Sequence, residues 1–256
     1  MMNYGKQELV VCESYEDAGR RMAEDVAALM RSLLANRDEI RMVLAAGESQ
    51  TTFLEALAQQ PDLAWDRVVC INIDDLWDPR MDVTHSCGHQ TVTQLYSKVH
   101  PKAYHLVNCN APDIEAEAKR FKDVYESLCP FDIQCSGIGT SGHLALNEPG
   151  ITSFSESKMV KIIDVAEQTK RQLMVDPNFK EAGYIPDKGI TLTIPAIIGV
   201  NHLFHVVPLE IKRDILGRVL ATTEPDENLP ASILSSVPGR IYVEPASFSS
   251  KDGGKG

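Results

Sequence analysis

No apolar run in this chain approaches the ~18 consecutive residues that a bilayer-spanning helix requires. The first residues, Met1-Met-Asn-Tyr-Gly-Lys-Gln-Glu8, hold no apolar core of the secretory kind, so a cytoplasmic location with no membrane partner is expected. Positive charge is scarce: 25 Lys and Arg stand against 36 Asp and Glu, a net charge of −11. That balance argues against a nucleic-acid partner, which needs a basic face. It still admits a small anionic ligand, because a few cations can cluster locally. Cysteine is neither dense nor patterned. The six (Cys12, Cys70, Cys87, Cys109, Cys129, Cys135) are scattered, and Cys70 and Cys135 lie inside apolar runs where a thiol serves as a small hydrophobe. No disulfide framework is expected. Internal repeats and a linker between two cores are missing as well, so the 256 residues read as one domain.

What is present is an ordinary globular composition, 43% hydrophobic and 24% charged. Ser14-Tyr-Glu-Asp17 resembles a helix start, and apolar residues at helical spacing follow to Leu34. Apolar runs at 41–46, 68–73, 104–107, 131–135, 158–163, 202–207 and 240–243 read as strands, with a further apolar stretch at 190–198. Helices are expected at 51–59, 91–99, 111–128, 210–220 and 231–237, and an irregular segment at 76–88. The polar stretch 168–188, interrupted by Pro177 and Pro186, reads as a mobile cover, and the tail 249–256 as disordered. Continuous apolar strands alternating with helices predict an α/β fold in three layers, a mostly parallel sheet covered on both faces.

In such a sheet the strand ends at Ala46, Ile73 and Ser136 meet on one edge, where ligands of α/β proteins bind. The first leads into Gly47-Glu-Ser-Gln-Thr-Thr52, where Ser49, Gln50, Thr51 and backbone N–H groups at a helix start form an anion site. The alternative use of Ser49 or Thr51 is ordinary helix capping. The second ends in Asp74-Asp75; burial and like charge would raise a carboxyl pKa there and make a useful base, unless the pair is a solvated turn. The third runs into Gly137-Ile-Gly-Thr-Ser-Gly-His-Leu-Ala-Leu-Asn-Glu-Pro-Gly150. Its glycines let a ligand approach the backbone, and His143 with Glu148 can form an acid/base pair, the carboxylate setting the imidazole tautomer.

These stretches resemble the glucosamine-6-phosphate deaminase/isomerase family, which is related to the 6-phosphogluconolactonases. The family pattern G-x-G-x-D-G-H-I-A-F-N-E-P is similar to Gly137–Pro149, its N-M-D-E strand end to Asn72-Ile-Asp-Asp75, and its G-G-T-P loop to Gly47-Glu-Ser-Gln50. Pro230-Ala-Ser-Ile-Leu-Ser-Ser-Val-Pro238 resembles the family's P-A-S-I-L-Q-x-H-P. The resemblance implies a Rossmann-like three-layer α/β/α sandwich in one domain over 1–256. It implies conversion of an amino-sugar phosphate to a ketose phosphate and ammonia, with no metal or organic cofactor and a homo-oligomer as a further expectation. By this resemblance Asp74 moves a proton between C2 and C1. His143 assists ring opening, Glu148 orients it, and Asp75 is a supporting carboxylate. Ser49, Gln50, Thr51 and the Gly47 backbone hold phosphate together with Lys212 and Arg171, which otherwise read as solvated surface charges. Gly137, Gly139 and Ala145 line the substrate site. Ser141 completes the catalytic group, and here the chain departs from the family, which has an aspartate. A serine can hydrogen-bond an imidazole but cannot stabilise an imidazolium by charge. Either Glu148 takes over that function or the substrate is another epimer, such as galactosamine 6-phosphate. A lactonase and a non-catalytic sugar-phosphate sensor are the alternatives. Glu48 is a second departure, an acid inside a phosphate loop. His85-Ser-Cys-Gly-His89 would suit zinc if helical, but Gly88 disfavours a helix and no fourth ligand is evident, so a polar segment leading into the next helix is expected.

Overall fold

The structure is a computed structural model and describes residues 2–175, 177–180 and 182–248. The expected disorder of 249–256 falls outside them. In chain order the elements are β1 (Met2–Tyr4), β2 (Gln7–Val11), α1 (Tyr15–Leu34), β3 (Ile40–Leu44), α2 (Thr51–Ala58), β4 (Val68–Asn72) and β5 (Asp74–Trp77). Next come α3 (Cys87–Thr91), a π turn (Val92–Tyr96), α4 (Ser97–Val99), β6 (Ala103–His105), α5 (Ile114–Leu128), β7 (Ile133–Ser136), β8 (Val160–Asp164), α6 (Glu167–Leu173) and α7 (Pro177–Lys180). The chain ends with β9 (Lys188–Leu192), α8 (Ile194–Ile198), β10 (His202–Val207), α9 (Arg213–Ala221), a 3-10 segment (Pro230–Ser236) and β11 (Gly239–Val243).

An eight-stranded sheet of order β1-β2-β11-β10-β7-β3-β4-β6 forms the middle layer, parallel throughout except for β1 against β2. Its inner strands are buried along almost their whole length, which is why they read as continuous apolar runs. Helices α1 and α2 close one face through Met22, Val26, Met30, Phe53 and Leu54. On the other face Phe121, Tyr125, Leu216, Val219 and Leu234 pack. Helix α1 starts as the sequence predicts, Ser14 Oγ accepting from the Asp17 N–H at 3.2 Å. Gly19 lets α1 lie directly on α2, since a Cβ there would stand 2.6 Å from Phe53 N.

A second sheet, β5-β9-β8, is antiparallel and was not expected. The segment 76–88 is therefore not irregular throughout: Asp74–Trp77 is a strand, and α3 begins at Cys87 in spite of Gly88. The reason is tertiary. Ser86 Oγ accepts from His89 N–H at 2.9 Å, and Asp75 accepts from the Cys87 and Gly88 N–H groups at 3.0 and 2.8 Å, so the helix start is capped twice. Strands β1 and β2 carry no motif that singled them out. Among the described residues no helix is long and apolar enough to cross a membrane.

Candidate active site

The order of the main sheet reverses between β3 and β7, the switch point at which ligands of open α/β sheets bind. A cavity sits there. Residues after β3 (Ala45, Ala46, Gly47, Glu48, Ser49, Gln50), after β4 (Ile73, Asp74, Asp75) and after β7 (Gly137, Ile138, Gly139) form its walls. A fourth strand end, that of β10, adds Leu209, Ile211 and Lys212. Across the mouth lie Thr169, Gln172 and Leu173 of α6, then Val175 and Phe179. Within the expected cover, 168–188, the described residues include helices α6 and α7, and Phe179 is buried against the small sheet.

Asp74 stands where the chain passes from one sheet to the other. Ile73 N–H donates to Leu44 O in the main sheet at 2.9 Å, and Ile73 O accepts from Leu192 N–H in the small one at 3.0 Å. Backbone held from both sides fixes the carboxylate that follows. Desolvation first, and then the Asp75 charge, push the Asp74 carboxyl up to about 8. Burial also raises Asp75, to about 7, against three backbone donors: Leu76 N–H at 2.9 Å, Cys87 N–H and Gly88 N–H. Asp75 has both oxygens occupied by N–H groups and is the better placed to be ionised, so Asp74 carries the proton to higher pH. The pair is not a solvated turn.

His143 lies over Gly139, whose backbone N–H donates to His143 O at 2.9 Å. A Cβ on Gly139 would fall 1.8 Å from His143 Nε2, so only glycine admits the ring. His143 Nδ1 is 2.6 Å from Glu148 Oε1 and 2.9 Å from Ser141 Oγ. Ser141 Oγ donates to Glu148 Oε2, and Thr169 Oγ1 donates to Glu148 Oε1. Burial would raise the Glu148 carboxyl, but the His143, Ser141 and Thr169 contacts outweigh it and hold it down at about 2. An ionised Glu148 only accepts, so neutral His143 carries its proton on Nδ1 and turns its Nε2 lone pair to the cavity. Ser141 and Glu148 stand behind the ring and are not cavity wall. Ala145, on the wall, takes a left-handed turn with φ of 53°.

The Gly47 loop forms a 3-10 turn over Glu48–Gln50, Gln50 N–H donating to Gly47 O at 2.9 Å. Neither Ser49 nor Thr51 caps α2 with its side chain, so the capping use of these residues is not seen. Ser49 and Gln50 reach the cavity, whereas the Thr51 hydroxyl accepts from Gln94 Nε2 at 3.2 Å and lies off the wall. Gly47 N–H donates to Gln90 Oε1 at 2.9 Å. Lys212 is buried on the cavity wall at the start of α9. Arg171 is exposed on α6 and does not line the cavity; Thr169 and Gln172 on the same helix do. Sequence reasoning missed Thr169, Gln172 and Gln90. Polar residues in a polar helix carry no signal until the helix is docked. Among the described residues no group of three or more His, Cys, Asp or Glu is placed to hold a metal; His85 sits in a turn before α3 and His89 within it.

The fold and this cavity define a class: an α/β protein whose mostly parallel main sheet gathers a raised carboxyl, an oriented imidazole and a glycine loop at its carboxyl edge. The family model described as glucosamine-6-phosphate isomerases/6-phosphogluconolactonase matches residues 13–243, and the chain belongs to that family. A glucosamine-6-phosphate deaminase of Shouchella clausii (strain KSM-K16) is 27% identical over 241 residues, 92% of this chain and 93% of the relative. One of Streptococcus pyogenes serotype M1 is 31% identical over 195 residues, 75% of this chain and 78% of the relative. Among solved structures, a monomeric glucosamine-6-phosphate deaminase superposes with a TM-score of 0.81 at 22% identity, covering 94% of this chain and 98% of that one. The 6-phosphogluconolactonase from Plasmodium vivax gives 0.76 at 12% identity, covering 95% and 91%. These two likenesses speak for the fold alone.

Proposed function

We propose that the chain is an amino-sugar-phosphate deaminase, converting glucosamine 6-phosphate, or its galactosamine epimer, to the corresponding ketose 6-phosphate and ammonia. The observation that carries this reading is the placement of Asp74, a carboxyl tuned towards neutral pH, on the same cavity as an imidazole oriented by Glu148. His143 passes protons at the ring oxygen and the C1 hydroxyl to open the pyranose. Asp74 then takes the C2 proton and returns it to C1, while the C1 carbonyl oxygen takes up a proton released by the C2 ammonium, leaving an iminium at C2. Water adds there and ammonia leaves. Each step is a proton transfer or hydrolysis that these side chains can serve without a cofactor. Lys212, Ser49 and the loop backbone at 47–50 grip the 6-phosphate, away from the reacting carbons, so that binding energy orients C1 and C2. Glu48 is exposed in that loop and also lines the cavity, so its charge opposes the bound phosphate and Lys212 on the same wall offsets it.

The test is ammonia release from glucosamine 6-phosphate and galactosamine 6-phosphate in parallel, beside hydrolysis of 6-phosphogluconolactone. Release from either amino sugar is expected and identifies the epimer. Lactone hydrolysis without ammonia would replace this reading with a lactonase, and calorimetric binding of the sugars with no turnover would replace it with a sensor.

A further inference from the structure

We propose that Thr169 is a positioning residue for the His143 imidazole, acting through Glu148, and that it makes the chemistry depend on α6 being docked over the cavity. The proposal rests on the deaminase reading for its kinetic consequence and on geometry for the rest. Glu148 is only 5% exposed, so solvent is a poor substitute for a lost donor. Its two oxygens are filled by two hydroxyls, Thr169 on Oε1 and Ser141 on Oε2, with His143 Nδ1 also at Oε1. A hydroxyl has one proton. Ser141 spends its own on Glu148 and can therefore only accept from His143 Nδ1. The imidazole is left one arrangement, Nδ1–H towards Glu148 and Nε2 towards the cavity.

The second hydroxyl comes from a different element. Thr169 is 3% exposed on α6, and one turn further along that helix Gln172 Oε1 accepts from Thr140 Oγ1 at 2.6 Å. Helix α6 is thus tied to the His143 loop on both sides of Ser141. Where an aspartate would have supplied a second negative charge beside the ring, this chain holds its one carboxylate with a donor borrowed from the cover. Moving α6 away withdraws that donor and loosens the partner of the imidazole.

Two near-isosteric variants test this. Carboxyl NMR of the free protein follows the Glu148 titration, assigned by its loss in E148Q, and steady-state kinetics gives kcat and KM. In Thr169→Val the Glu148 midpoint is expected to rise by about one pH unit, because a donor to the ionised form is gone. In the same variant kcat is expected to fall about tenfold with KM nearly unchanged, short of the ~100-fold or more that losing an acid/base group costs. Thr169→Ser, which keeps the hydroxyl, should restore both. An unmoved midpoint in Thr169→Val, or a Thr169→Ser variant as impaired as Thr169→Val, would overturn the role. Should the wild-type protein release no ammonia, the deaminase reading falls while the titration still decides the case of Thr169.

Discussion

On the proposed deaminase reading, Asp74 serves chemistry at the expense of stability. Its folded-state carboxyl holds a proton up to about 8, against an ordinary value of 3.8 in an unfolded chain. Between those values the folded protein binds more protons than the unfolded one, so stability falls as pH rises, and the loss is complete above the folded pKa. Replacing Asp74 with Asn removes a charge that burial disfavours. The expected outcome is loss of turnover together with a Tm higher by roughly 5 °C at pH 8, shrinking to no difference near pH 4, read by calorimetry across pH. A variant that loses turnover and is less stable at pH 8 would mean the carboxylate is structural. The sequence showed an Asp-Asp pair; only the sheet-to-sheet passage at Ile73 shows that the backbone leading into half-buried Asp74 is held from both sides.

Helix α3 works as a brace between two parts of the site. Its first N–H groups bind Asp75, next to Asp74, and its Gln90 side chain receives the Gly47 N–H of the glycine loop. On the proposed deaminase reading, this one short element sets the spacing between the phosphate grip and the reacting carbons. Gln90→Leu would leave Gly47 N–H without its acceptor and let the loop shift. KM for the phosphorylated sugar is expected to rise about tenfold, an uncompensated hydrogen bond of ~1.4 kcal/mol, with kcat changed little. A proportional loss in kcat would place α3 in the chemical step instead. This helix is the one the sequence made least of: Gly88 spoke against it, and the caps that permit it come from Asp75 and Ser86. Gly88 is tolerated because a Cβ would crowd Asp75 Oδ2 at 3.3 Å and Leu106 at 3.1 Å.

At the scale of the molecule, the cavity is walled by four strand ends of the main sheet, by the first residues of β5 and by α6 together with Val175 and Phe179. A ligand filling it contacts both sheets and the cover, and so binds only the fully assembled fold. At 100 times its Kd such a ligand stabilises by about 2.7 kcal/mol, which for a domain of this size raises Tm by ~5–10 °C. We expect that shift with glucosamine 6-phosphate or galactosamine 6-phosphate, and a smaller one with inorganic phosphate or unphosphorylated glucosamine at equal concentration. Equal shifts with sugar lacking the phosphate would refute the phosphate grip of Lys212 and the Gly47 loop.

The sequence by itself determined the parallel sheet, the strand ends on its carboxyl edge and the residues delivered there, because these are local facts. Continuous apolar runs mark buried strands, and glycines next to His143 and Asp74 next to Ile73 are fixed by adjacency in the chain. It also determined Lys212 as a residue after the β10 strand, which the fold turns into cavity wall. Only the tertiary structure decided the rest. The small antiparallel sheet needs β5, β8 and β9, separated by long stretches of chain, to pair. The outward face of Arg171 and the inward face of Thr169 on one short polar helix depend on how α6 docks. The raised carboxyls and the lowered Glu148 depend on burial and on hydroxyls contributed from distant positions, and such long-range desolvation leaves no periodic trace in a sequence.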